Sequence, residues 1–80
     1  MKYNRKLVVS VDVTKTQVQK VLRAIKKCNA VIGEVTHNNI SASTVEMEVP
    51  VEGKSAGEIA HVIATVDSTK GVAIKDVLRM

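Results

Sequence analysis

Leu7, Val9, Val11 and Val13 alternate with Lys6, Ser10 and Asp12. That period of two predicts a strand over residues 6–13 with one buried face, Val8 falling on the polar side. The period then changes. Val18, Val21, Leu22, Ile25 and Cys28 form a single helical stripe, with Gln19, Lys20, Arg23, Lys26 and Lys27 around the rest of the turn. Thr14 with Gln17 reads as a T-x-x-Q capping box that would start this helix, and Asn29 can end it. Residues 31–37, "VIGEVTH", and 43–51, "STVEMEVPV", read as two strands joined by the turn-prone "NNISA". Pro50 lacks an N–H, so its end of the second strand is expected at an edge or beyond the ladder. Ser55 with Glu58 forms a second capping box, and Ile59, Val62, Ile63 and Val66 give a second helical stripe that "DSTKG" ends, with Gly71 as a turn residue. Residues 72–79 predict a last strand. Ile74 and Val77 both look buried there, which implies a bulge or a strand covered on both faces.

The predicted order is β-α-β-β-α-β, an α+β chain. Right-handed crossovers would place both helices on one face of a four-stranded antiparallel sheet, with strand order 4-1-3-2. That is the ferredoxin-like arrangement, and residues 1–80 form one domain in it. Residues 1–5 are expected as a flexible N-terminal arm.

Composition sharpens this picture. Apolar residues make up 45 % of the 80, yet Tyr3 is the only aromatic. A core of aliphatic side chains buries less area per residue, so a second copy is an expected source of further burial. The single cysteine, Cys28, allows no internal disulfide, which fits a reducing cytoplasm, the expected location. No apolar run approaches membrane-spanning length, and "MKYNRKLVVSV" has too short an apolar stretch for a signal peptide. The net charge of +4 is uneven. Residues 1–28 hold eight basic groups against Asp12, or +7, whereas the remainder holds four basic and seven acidic groups, or −3.

Several features together resemble an ACT domain, a small-molecule-sensing module, over about residues 6–79. They are the element order, the stretch "VVSVDVTKTQVQKVLRAIKKCNAVIGEV" and the closing "KGVAIKDVLR". In that comparison Asp12 matches the acidic residue that often ends the first strand, and "AVIGEV" matches the segment where the family often has Asn-Ile. The family's Pro-Gly after the aspartate is absent, and Thr16 stands at the glycine's place. Residues 44–77 are also broadly similar to the ACT segment attached to some bacterial malic enzymes. The resemblance implies a non-catalytic regulatory domain acting as a homodimer, with a metabolic enzyme as partner or parent. It implies an amino acid or small carboxylate held between the first loop of one copy (Asp12, Thr14, Lys15, Thr16) and Val31, Ile32 and Gly33 of another. Lys15 would supply charge, and the amides of residues 14–16 would supply donors at a helix N-terminus.

Other chemistry is poorly supplied. A metal-carrying domain of this topology needs Cys-x-x-Cys in the first loop, an RNA-recognition motif needs aromatics on its central strands, and an acylphosphatase needs an arginine in its phosphate loop. None is present. The ligand-binding domain of leucine-responsive regulators shares the topology and stays an alternative. His37 and His61 read as surface or boundary residues, Cys28 as a small core hydrophobe, and no cofactor or metal is expected. The basic surface of Lys20, Arg23, Lys26 and Lys27 reads first as a solvated face. Its alternatives are docking onto Glu46, Glu48 and Glu52 of another copy, or weak nucleic-acid contact. An assembly module with no small ligand is the second functional expectation.

Overall fold

The computed structural model describes residues 3–79 as two helices and one antiparallel sheet, a mixed α+β fold. The elements are β1 (Tyr3–Asp12), α1 (Val18–Lys26), β2 (Val31–Ile32), β3 (Thr36–Asn39), β4 (Thr44–Gly53), α2 (Ala56–Asp67) and β5 (Val72–Arg79). The alternating stretch at the start becomes β1, but it begins at Tyr3 and not Lys6. Tyr3 pairs with Gly53 and Arg5 with Val51, so residues 3–5 of the expected arm are part of the sheet. Residues 1 and 2 of that arm lie outside the described residues. At its other end the strand stops at Asp12, and Val13 is left 39 % exposed.

The sheet has five strands where four were expected, in the order β2-β4-β1-β5, with β3 also pairing β4. The difference comes from the stretch 31–37. Val31 and Ile32 pair with Glu52 and Val51, whereas Thr36 and His37 pair with Glu48 and Met47. The register moves by one residue between the two ladders. Pro50 supplies the reason. The N and O of one strand residue point to the same side, and the Pro50 carbonyl accepts from the Gly33 amide at 2.8 Å. The N–H that Pro50 lacks would therefore point at the same flank, where the ladder lapses over residues 33–35. Pro50 thus lies within a central strand, contrary to the edge position expected, and the tolerated break is in its neighbour.

The bulge expected in the last strand is present. Val8 pairs with Asp76 but Val9 pairs with Ile74, which leaves Lys75 as the extra residue and turns both Ile74 and Val77 toward the core. One core serves the whole domain. Leu7, Val9 and Val11 of β1 and Met47, Val49 and Val51 of β4 meet Val21 and Ile25 of α1 and Ile59, Val62 and Val66 of α2. Cys28 is buried with them, as expected of a small hydrophobe. The opposite face of the sheet carries Lys6, Glu46, Glu48 and Lys75. Lys6 reaches Glu48 at 3.8 Å and Lys75 reaches Glu46 at 3.4 Å. Half-exposed pairs of this kind contribute little to stability, up to about 1 kcal/mol each.

Candidate functional site

The first loop is built around Asp12. Its Oδ1 accepts from the Thr14 amide at 3.0 Å and the Thr14 hydroxyl at 2.6 Å. Its carbonyl accepts from the amides of Lys15 at 3.0 Å and Thr16 at 3.1 Å. The Thr14 hydroxyl, then the Thr14 amide, hold the Asp12 carboxylate below its ordinary value of 3.8; Lys15 adds a smaller pull in the same direction, and desolvation opposes it. Two expectations change here. Thr14 caps no helix: α1 begins at Val18, with Gln17 at its N-cap and no side-chain cap bond. The amides of residues 14–16, expected as ligand donors, are taken by Asp12. Of the grip expected in this loop, the Lys15 ammonium is what remains available.

A glycine does approach this loop, from the far end of the chain. Gly71 has φ +81, and its carbonyl accepts the Asp12 amide at 2.8 Å. A Cβ there would sit 2.8 Å from the Lys15 Cβ, so only glycine fits without a shift. Gly71 was legible as a turn residue; that it packs against residues 15 and 16 depends on the fold and left no local signal.

Val31, Ile32 and Gly33 lie elsewhere. Asp12 faces Thr44 and Ile32 faces Val51, seven residues apart on β4, or about 23 Å. One chain therefore does not bring the two halves of the expected site together. Val31 is 61 % exposed, whereas Ile32 packs against the core. Val31 and Gly33 line a groove of about 240 Å³ with Asn4 and Pro50, and Val31 also borders a smaller one beside Asn29 and Lys54.

The basic residues divide. Lys20, Arg23 and Lys27 line a groove of about 340 Å³ between α1 and α2, where His61 and Thr65 form the opposite wall and Ala24 and Cys28 the floor. The Cys28 thiol donates to the Ala24 carbonyl at 3.3 Å and lies 3.5 Å from the Thr65 hydroxyl. Lys26 turns to the other flank, beside Gln19 and Leu22, on a second groove that Arg23 also borders. Sequence reasoning missed His61 as a neighbour of these cations. Its i, i+4 spacing to Thr65, off the apolar stripe of α2, put both on one face, but which helix they would meet was not readable. Of the three glutamates expected as a docking surface on another copy, Glu46 and Glu48 each lie beside a lysine of their own sheet face, Lys75 and Lys6. Among the described residues, no group of three or more His, Cys, Asp or Glu is placed to hold a metal ion, and no helix is long and apolar enough to cross a membrane.

No protein-family model matches this chain, and no curated protein matches it. Among solved structures it is similar to the uncharacterized protein TM1266 from Thermotoga maritima, with a TM-score of 0.68 over 100 % of this chain and 99 % of that one. The sequences are 10 % identical, so the likeness speaks for the fold alone.

Proposed function

We propose that this chain is a non-catalytic regulatory domain of ferredoxin-like, ACT-like architecture that works as a homodimer through its β2–β3 edge. The strand pairing supports the architecture: β2 and β3 lie end to end along one side of β4, and taken as one interrupted strand they give the expected order.

The observation that carries the reading is a pair of exposed apolar residues at opposite ends of that edge. Val31 is 61 % exposed at the β2 end, opposite Glu52. Ile40 is 59 % exposed just past β3, where its amide donates to the Thr44 carbonyl at 3.0 Å. Along β4 the two ends are eight residues apart, about 26 Å. A two-fold axis through the middle of the edge sets Val31 of one copy beside Ile40 of the other, and the reverse, so one self-complementary contact covers both. The Ile40 end is also the Asp12 end, because Val13 donates to the Ser43 carbonyl at 2.9 Å. The same symmetry thus brings residues 31–33 of one copy toward Lys15 of the other. An amino acid or small carboxylate held there takes its charge partner from Lys15 and its apolar contact from Val31.

Sedimentation equilibrium of the protein and of Val31→Asp tests the assembly. A dimer that the variant converts to monomer supports it; a monomeric parent protein rejects it. Calorimetry against amino acids and carboxylic acids tests the ligand, which Lys15→Ala should release. A dimer that binds none of them at millimolar concentration leaves the assembly role without a sensing role.

A further inference from the structure

We infer that the groove between α1 and α2 is a second, separate binding site, for a small molecule bearing two or three linked phosphate groups. Lys20 and Arg23 of α1 and Lys27 at its C-cap stand at i, i+3 and i+7 on one face, spanning about 10 Å along the axis. Like charges at this spacing repel and weaken an isolated helix. No carboxylate lines the groove, and among the described residues none of the three forms an ion pair. His61 on the facing wall adds a ring nitrogen that can donate to the same anion. The Ala24 methyl at the floor leaves the space between the helices open, and about 340 Å³ is the size of a small-ligand site.

The arrangement selects among anions. A single carboxylate would satisfy one cation of three, whereas a linear polyphosphate spreads charge along the row. Arg23 can hold it bidentately at the centre, and the flexible Lys20 and Lys27 stems close on it from the ends. The groove offers no aromatic side chain on which a base could stack, and apart from Ala24 and Cys28 no apolar anchor for a docked helix. Glu48 and Glu46 of a second copy each lie beside a lysine of their own sheet face, Lys6 and Lys75. These features favour a small polyphosphate over nucleic acid, an acidic protein or self-docking.

Titration of the full chain with sodium tripolyphosphate at low ionic strength, by calorimetry and amide chemical shifts, tests this site. One saturable site per chain is expected, with shifts at Ala24, Cys28, His61 and Thr65 and none at Val31 or Lys15, so the result is independent of the edge reading. Orthophosphate should bind at least about tenfold more weakly. Arg23→Gln should cost about tenfold or more in affinity, and Lys26→Gln, on the same helix but outside the groove, less than about twofold. Circular dichroism confirms that both variants remain folded. Absence of saturable binding overturns the inference. So does equal weakening by both variants, which means diffuse charge only, or tighter binding of a glutamate-rich peptide or a single-stranded oligonucleotide of equal charge.

Discussion

The two edges of the sheet are built in opposite ways. The β5 edge carries Lys75, Asp76 and Arg79 in its second half, around a Leu78 that is 41 % exposed, with a bulge at Lys75 that twists the ladder out of register. Charge and bulge are the usual means by which an edge strand avoids pairing with another chain. The β2–β3 edge also has an irregularity, over residues 33–35, which holds one exposed carboxylate, Glu34, but β3 itself is Thr-His-Asn-Asn, fully exposed and free of lysine and carboxylate. Exposed Val31 and Ile40 stand at its ends. β5 is the more heavily charged edge, and that difference is what favours the β2–β3 edge in the proposed dimer.

The largest test of this contrast is a charge at the apolar ends of the β2–β3 edge. Burying an unpaired carboxylate costs several kcal/mol, so Val31→Asp or Ile40→Asp should raise the dimer dissociation constant by about a hundredfold or more. Sedimentation equilibrium reads it directly. Next in size, Thr36→Lys places on β3 the kind of charge that β5 already has, opposite the Glu48 position where the two-fold axis passes. Two such lysines near the two-fold axis should weaken the dimer about tenfold, an effect that shrinks in high salt. Lys75→Thr and Asp76→Thr strip the β5 edge and should change the dimer by less than about twofold, read by the same method; a large effect there would move the interface to β5.

The smallest effect concerns the loop at the Ile40 end. The Asp12 carboxylate has a folded-state value below the ordinary 3.8, so it stabilises the fold above that value, and the contribution is lost as pH falls through the depressed value. Asp12→Asn should therefore show a flatter loss of thermal stability below about pH 4 than the parent protein, with no difference near neutrality in that slope. Melting curves across the acid range check it.

How much of this was legible can be seen at the two helix starts. Both look like capping boxes in the sequence. Ser55 is one: its Oγ accepts the Glu58 amide at 3.2 Å, while Glu58 reaches back to the Lys54 amide at 2.9 Å. Thr14 is not one, because Asp12 two residues earlier offers its hydroxyl a charged acceptor at 2.6 Å. A nearer and stronger partner overrides the local motif. The same lesson holds at Pro50. Its missing N–H predicts an edge position from the sequence, but Pro50 sits inside central β4, and the break instead splits the facing strand into β2 and β3. Helix stripes, the β5 bulge, the left-handed Asn29 at φ 62 and the Gly71 turn were readable because each depends on neighbours in sequence. The groove between α1 and α2, and the seat of Gly71 against Lys15, join distant segments and became visible only in the fold.

The central claim is that residues 31–33 of one copy meet the Ile40 end and first loop of another. An isotope-filtered NOE experiment on a mixture of labelled and unlabelled protein measures that contact directly. Intermolecular cross-peaks between the Val31 methyls and Ile40 or Lys15 are the predicted result. A mixture that gives no intermolecular peaks, or gives them only from Val72–Arg79, contradicts it.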